Sequence, residues 1–375
     1  QIKKKEAYIY IAIASALGLF LELAIIRIHS SYLQLFGYLK NISLLSCFLG
    51  LGIGLIFKDR KFYSIKWVSP LFFVQITLMY CLYLTPAATI LMNPIAEQWT
   101  MGQDMAKGFL HLLIVYLFII LIFLFNALCF IPIGHLITKL MSTIEKLEAY
   151  SYNLIGSIVG VIMIAFLSYL WTSPIVWISV SFLMYFILIN KVNTKMFLPI
   201  ISFLGLVIIL NINIEQNKKQ LYSPYQNITV QYQLEELHPL MIKIGHIWHQ
   251  VPLDLYNNSD DSRIIHDQQF YDLAYKIVER RPSKILIVGS GTGNDVASAY
   301  KNVSHVNDSD LRIDAVEIDP LVAKLGKEYH PNSPYSHKVV NLIIEDARTF
   351  IKNTKNKYDL IQYGLLDSLT NLSGR

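Results

Sequence analysis

Long apolar runs fill the first 213 residues, and they restrict the fold more than any other feature of the sequence. Residues 1–212 hold 14 of the 32 basic side chains but only 7 of the 27 acidic ones. A helix that crosses the hydrocarbon core of a bilayer needs about 20 mainly apolar residues. The pattern therefore predicts a transmembrane helical domain over residues 1–213 and excludes a wholly soluble protein. About seven spans are predicted, at 8–27, 41–57, 68–85, 109–133, 152–170, 174–190 and 197–213.

The Lys and Arg residues between these runs predict their orientation. With the N-terminus inside, the inner segments hold eleven of them, whereas the outer segments hold only Arg27, Lys40 and Lys107. Seven spans from an inside start would place residues 214–375 outside the cytoplasm. A nucleoside-type cofactor, which this region is predicted to bind, is made in the cytoplasm. We expect a miscounted span, with a re-entrant span or an outward domain as the alternatives. The expected location is the bacterial inner (plasma) membrane, with the soluble domain in the cytoplasm.

Two ionisable residues, Glu22 and Arg27, belong to the first apolar run. Charges within a membrane are costly and suggest a functional site, although both residues could instead lie at the interface and orient the helix. Glycines in 50–54 and 156–160 favour close approach of neighbouring helices. The net charge of +5 comes from the membrane half, so nucleic-acid binding gains no support.

After residue 213 the pattern becomes that of a soluble α/β protein. Alternating apolar residues at 227–233 and 240–248 predict strands in a small β connector over 214–262. Its histidines, His238, His246 and His249, have no metal-ligand spacing, and no metal is expected. Strands and helices then alternate over 263–375, which predicts a parallel Rossmann-like sheet.

Three features of this α/β region predict a nucleoside site. The first strand runs into a turn with Gly289, Gly291 and Gly293, where the backbone can approach a ligand closely. Glu317 ends the second strand, and its spacing in the sequence from the glycine turn is typical of a carboxylate that accepts both ribose hydroxyls. Asp346 follows the third strand. The carboxyl ends of neighbouring parallel strands form a common ligand-binding edge.

These segments resemble the spermidine synthase-like membrane proteins, which join a multi-span helical region to a Rossmann domain of the S-adenosylmethionine methyltransferase type. The motifs that carry the resemblance are 289–295, 316–320, 330–335, 346–350 and 358–373, with 223–228 and 267–271 upstream and 22–27 and 152–160 in the membrane half.

The resemblance implies a transferase whose cofactor, used as a substrate, is S-adenosylmethionine or its decarboxylated form. Gly289, Gly291 and Gly293 would line its methionine-derived part, and Glu317 its ribose. Asp346 would hold the adenine amino group, and Gln226 the sulfonium or ribose side. Gln250 is a looser match to a second family glutamine.

Two departures affect the expected reaction. Spermidine synthases have an aspartate where this chain has Thr292, and a catalytic aspartate at the position of Gly364. Such carboxylates bind an ammonium group and help to deprotonate the attacking amine. Asp367 is the nearest candidate to compensate, and we assign it the catalytic role, with loop capping as its alternative. Asp295 is expected to interact with backbone amides at a helix start.

The given sequence stops after the fourth predicted strand, so the Rossmann sheet is expected to be incomplete at its C-terminus. The sheet of the family that it resembles would continue with about three more strands. A partial sequence, a second polypeptide that completes the sheet, and a degenerate domain are the alternatives. The expected partners are the bilayer, a small-molecule or lipid-linked acceptor, and further copies of the chain.

The sequence thus favours an integral-membrane transferase that moves an aminopropyl or methyl group. A membrane transporter or sensor with a regulatory nucleoside-binding domain is the main alternative, and a pseudoenzyme is another.

Overall fold

The computed structural model describes residues 4–32, 35–36, 39–56, 64–83, 108–192, 195–211, 217–235, 238–244, 247–257, 260–304 and 310–364. By their contacts, the described residues divide into two units, one within residues 4–211 and one within residues 217–364. The first is helical in its described part, and the second is an α/β unit.

Every apolar run predicted as a span contains a helix. Five stretches among the described residues are long and apolar enough to cross a membrane: Glu6–Ser31, Ile65–Leu82, Phe109–Met141, Lys146–Tyr169 and Pro174–Lys191. The stretches Asn41–Ile56 and Phe197–Asn211 are apolar but shorter, and each ends where the described residues end, so the count of about seven spans stays a prediction. The helices are α1 (Lys4–Tyr32), α2 (Lys40–Ile56), α3 (Val68–Tyr83), α4 (Phe109–Met141), α5 (Lys146–Tyr169), α6 (Pro174–Val192) and α7 (Phe197–Asn211).

Glycines bring pairs of these helices into backbone contact, as predicted. A Cβ atom on Gly156 or Gly160 of α5 would lie 2.2 Å from the carbonyl oxygen of Ala12 and 2.3 Å from that of Ala16, respectively. On α2, Gly50 approaches the backbone of α4 in the same way. Larger side chains at these positions would force the helices apart.

The second unit begins with an antiparallel sheet of order β1-β2-β3-β4. One face packs on helix α10, where Ile228, Val230 and Ile242 contact Leu321 and Leu325. Strand β1 was not among the predicted strands, because its Lys-Lys-Gln-Leu-Tyr sequence lacks apolar alternation. The elements are β1 (Lys218–Tyr222), β2 (Asn227–Glu235), β3 (His238–Ile244), β4 (Ile247–Gln250) and α10 (Pro320–Tyr329).

The remaining strands form the predicted parallel sheet, with four described strands in the order β7-β6-β5-β8. Strand β5 is buried from Ile285 to Val288 because helices cover both faces of a central parallel strand. Since the four strands run the same way, their carboxyl ends lie along one edge. The elements are α8 (Ser262–Ile277), β5 (Lys284–Val288), α9 (Asn294–Val303), β6 (Arg312–Glu317), β7 (Val340–Ile344), α11 (Ala347–Asn353) and β8 (Leu360–Tyr363).

Candidate active site

The turn between β5 and α9 can be formed only by glycine at three positions. Gly289, Gly291 and Gly293 have φ angles of 73°, 57° and 109°, in the region that other residues rarely adopt. A Cβ atom on Gly293 would also lie 2.5 Å from the ring of Pro334. The turn therefore presents bare backbone at the edge where parallel sheets bind ligands.

Glu317, the last residue of β6, lies directly against this turn. Its Oε2 accepts a hydrogen bond of 2.8 Å from Gly291 N, and its Oε1 accepts one of 2.8 Å from Asp319 N. Burial raises the pKa of Glu317 to about 7. A carboxylate has about four lone-pair positions, so two remain for other donors.

Two further side chains fix the turn from outside. Gln250 Oε1 accepts a hydrogen bond of 2.8 Å from Thr292 N, and a Cβ atom on Gly291 would lie 2.4 Å from that oxygen. The hydroxyl of Tyr335 donates to Gly291 O at 2.7 Å. Gln250, placed only loosely by the sequence, thus lies on the glycine turn.

Gln226 is held by Asp319, which was not among the predicted site residues. Its Nε2 donates to Asp319 Oδ2 at 2.8 Å, and the same oxygen accepts from Ser223 Oγ at 2.6 Å. Asp319 caps α10 through its other oxygen, which accepts from Leu321 N at 2.9 Å. Gln226 Oε1 is buried and has no hydrogen-bond partner among the described residues, so it can accept a hydrogen bond from a ligand.

Asp346 lies at the same edge, one strand further along. It caps α11, and its Oδ1 accepts hydrogen bonds from Thr349 N at 3.0 Å and from Thr349 Oγ1 at 3.2 Å. Glu345 N donates to Glu317 O at 3.1 Å, which keeps the end of β7 beside the end of β6. The structure thus brings the glycine turn, Glu317 and Asp346 to one edge.

The positions that depart from the family pattern differ in their surroundings. Thr292 is fully buried, and its hydroxyl has no partner among the described residues. Gly364 N donates to Val288 O at 3.0 Å. Asp295 lies in the first turn of α9 and accepts a hydrogen bond from a backbone amide there, as expected, and it is buried. Its Oδ1 also accepts from Gln362 Nε2 at 2.6 Å. Asp367 lies outside the described residues.

Asn294 joins three chain segments behind the turn. Its Oδ1 accepts from Leu253 N at 3.0 Å and lies 3.0 Å from His330 Nε2. Its Nδ2 lies 3.0 Å from the hydroxyl of Tyr271, to which it donates. These bonds hold the connector and α8 against the start of α9.

Part of the chain is similar to known proteins. Residues 272–373 match the spermine/spermidine synthase domain. We refer to this stretch as the spermidine synthase-like domain, after the family that it is similar to. Similar proteins are the polyamine aminopropyltransferases of Sulfurisphaera tokodaii (30% identical over 136 residues), Sulfolobus acidocaldarius (34% over 115) and Alkaliphilus metalliredigens (37% over 81).

These similarities cover 35%, 29% and 20% of this chain, respectively. The chain in turn spans less than half of each relative's length, namely 43%, 35% and 26%. The match to the spermine/spermidine synthase domain begins within α8, so it leaves the helical unit and the antiparallel sheet outside.

The connector histidines lie partly outside the described residues. His249 is partly buried, and burial lowers its pKa to about 4. The side chain of His238 and the whole of His246 lie outside the described residues. In the described parts of the chain, no group of three His, Cys, Asp or Glu side chains is arranged to hold a metal ion.

The helical unit has polar side chains in its interior. Glu22 is 2% exposed, and its Oε2 has no hydrogen-bond partner within the described residues. Arg27 donates to Ser168 Oγ and lies 5.5 Å from the ring centre of Trp177. The sequence suggested either a functional pair or an interfacial one, and the structure shows Glu22 in the interior of the unit.

Proposed function

We propose that the spermidine synthase-like domain binds decarboxylated S-adenosylmethionine and transfers its aminopropyl group to an amine acceptor. The observation that carries this proposal is the contact between Glu317 and the glycine turn, in a domain that matches the spermine/spermidine synthase family. The relatives named above are aminopropyltransferases, which supports this transfer over methyl transfer.

The residues present suit such a ligand. The two unused lone-pair positions of Glu317 match two ribose hydroxyls. Gln226 Oε1, which has no hydrogen-bond partner in the part of the chain that the structure describes, is suited to the sulfonium or ribose side. We assign the bare backbone of the glycine turn to the aminopropyl chain, and Asp346, at the end of β7, to the adenine.

The reaction is a direct displacement. The acceptor nitrogen forms a bond to the aminopropyl carbon next to the sulfonium, the carbon–sulfur bond breaks, and its electron pair stays on sulfur, which gives methylthioadenosine. The protein's contribution is to hold the two reactants in line and to exclude water. Asp367 remains our sequence-based candidate for a carboxylate that helps the amine.

Calorimetric titration of the full chain with three ligands tests this proposal. We expect decarboxylated S-adenosylmethionine and methylthioadenosine to bind, and S-adenosylmethionine to bind more weakly. Glu317→Ala should abolish binding, while Glu328→Ala, on the exposed face of α10, should not. Failure of a folded chain to bind any of the three would overturn the proposal.

Transport or sensing by the helical unit is a second candidate, favoured by the buried and unpartnered Oε2 of Glu22. If the nucleoside site is regulatory, Glu317→Ala and Asp346→Ala will change uptake into vesicles without any turnover of the nucleoside. If the chain is a transferase, the same variants will lose product formation.

For location, we propose an integral membrane protein with the spermidine synthase-like domain in the cytoplasm and an acceptor reached at the membrane face. Five candidate spans and the position of the Lys and Arg residues support membrane insertion. With the N-terminus inside, a cytoplasmic domain requires an even number of crossings, so in this proposal one of the two shorter apolar helices also crosses the membrane. Protease treatment of sealed vesicles of known orientation tests the side: residues 215–364 should be cut in inside-out vesicles and protected in right-side-out vesicles.

A further inference from the structure

The turn after β8 has no room for the carboxylate that spermidine synthases place there. A Cβ atom on Gly364 would lie 2.7 Å from Gly289 O, closer than real Cβ atoms approach a backbone oxygen. An aspartate at this position would therefore require the glycine turn to move. The loss of the family carboxylate is built into the backbone of this site.

Another carboxylate lies beside the vacant position. Asp295 Oδ2, at the start of α9, is 3.4 Å from the point that a Cβ atom of residue 364 would occupy. Its other oxygen is fixed by Gln362 Nε2 at 2.6 Å, and Gln362 Oε1 in turn accepts from the hydroxyl of Tyr275 at 3.0 Å. No described side chain donates to Oδ2, so that oxygen can interact with a ligand.

The surroundings suit a group that exchanges a proton. Asp295 is 9% exposed, and burial raises its pKa from about 3.8 to about 6. The ionisable side chains around it are Tyr271 and Tyr275 of α8 and Tyr335, and burial raises the pKa of each, so all three are neutral at pH 7. A base whose pKa lies near the working pH is effective in catalysis.

We infer that Asp295 binds the attacking amine of the acceptor and accepts its proton, in place of the family carboxylate at position 364. This inference rests on the proposed aminopropyl transfer. The acceptor ammonium gives one proton to Asp295 Oδ2, and the resulting amine forms the new nitrogen–carbon bond as the carbon–sulfur bond breaks. The proton then passes to water, so one proton is released for each methylthioadenosine formed.

Asp295→Asn tests the inference in the full chain. We expect kcat for methylthioadenosine formation to fall about 100-fold or more, as for loss of a general base, while methylthioadenosine binds with nearly unchanged affinity. With decarboxylated S-adenosylmethionine saturating at every pH, so that protonation of Glu317 does not limit binding, kcat of the wild-type protein should fall below about pH 6, and kcat of the variant should lack this acid limb. Asp272→Asn is the matched control, because Asp272 is also a buried carboxylate, bonded to Ser298 and Lys301 of α9 away from the turn. It should keep the acid limb.

A second variant covers the case in which Asp295→Asn does not fold. Gln362→Leu removes the donor that stabilises ionised Asp295, so the acid limb should move to higher pH. An unmoved acid limb in this variant, or an Asp295→Asn protein that keeps kcat within threefold, would overturn the role of Asp295 and leave aminopropyl transfer intact. A wild-type protein that forms no product would instead refute the proposed function, and this inference with it.

Discussion

Replacement of Glu317 by glutamine should weaken nucleoside binding and also remove its pH dependence. In the free protein the two carboxylate oxygens accept from Gly291 N and Asp319 N, both at 2.8 Å, and a ribose would add two hydroxyl donors. Glutamine has one acceptor oxygen, so at least one charge-assisted hydrogen bond is lost. Such a bond contributes about 1.5–3 kcal/mol, which corresponds to a roughly 10- to 150-fold higher Kd.

The pH dependence follows from the pKa of Glu317, which burial raises to about 7. The ionised form, which accepts both hydroxyls, is mostly present at pH 8 but makes up only about 1% at pH 5. Wild-type affinity should therefore fall roughly 90-fold between pH 8 and pH 5, while Glu317→Gln should give a nearly flat profile.

Calorimetry with methylthioadenosine is the suitable assay, because this ligand has no amine that titrates in the range. Glu328→Gln serves as the control, since Glu328 is an exposed side chain of α10 that pairs with Lys324 at 3.7 Å. A wild-type Kd that does not change between pH 8 and pH 5, or a Glu317→Gln protein that binds as tightly as wild type, would refute the assignment of Glu317 to the ribose.

Three other predictions test the supporting structure. Gly291→Ala places a Cβ atom at positive φ and 2.4 Å from Gln250 Oε1, so the melting temperature should fall by an amount equivalent to about 1–2 kcal/mol, and methylthioadenosine binding should be lost. Gly156→Ala should lower the melting temperature of the chain in detergent because the added Cβ atom meets a carbonyl of α1 at 2.2 Å, whereas Gly52→Ala, with open space around it, should not. Burial lowers the pKa of His330 to about 4, so between pH 6.5 and pH 5 the imidazole is protonated in the unfolded chain but mostly neutral in the folded chain. The free energy of unfolding should therefore fall by about 2 kcal/mol as the pH falls from 6.5 to 5. His330→Asn should make the loss of stability over this range smaller, as measured by chemical denaturation at the two pH values.

The sequence was sufficient to predict the elements with strong periodicity. The apolar runs became helices, and the continuous apolar strand 284–289 became the centre of a parallel sheet, because helices on both faces require such a run. Local turn chemistry identified Gly289, Gly291 and Gly293, since positive φ values select glycine.

The contacts that complete the candidate site could not be predicted from local pattern. Asp319 could be recognised as a helix cap before Pro320, but its second oxygen binds Gln226, 93 residues earlier in the chain. Asp295 was expected to interact with backbone amides at the start of a helix. Its link to Gln362 and its place beside Gly364 arise only when α9 packs against β8, and no spacing in the sequence encodes this.

The most direct test of the account is product formation by the purified full chain. Incubation with decarboxylated S-adenosylmethionine and a set of linear diamines, followed by mass spectrometry, should yield methylthioadenosine and an aminopropylated amine in equal amounts. Glu317→Ala should yield neither. A folded wild-type chain that binds methylthioadenosine but forms no alkylated amine with any member of the set would contradict the central claim.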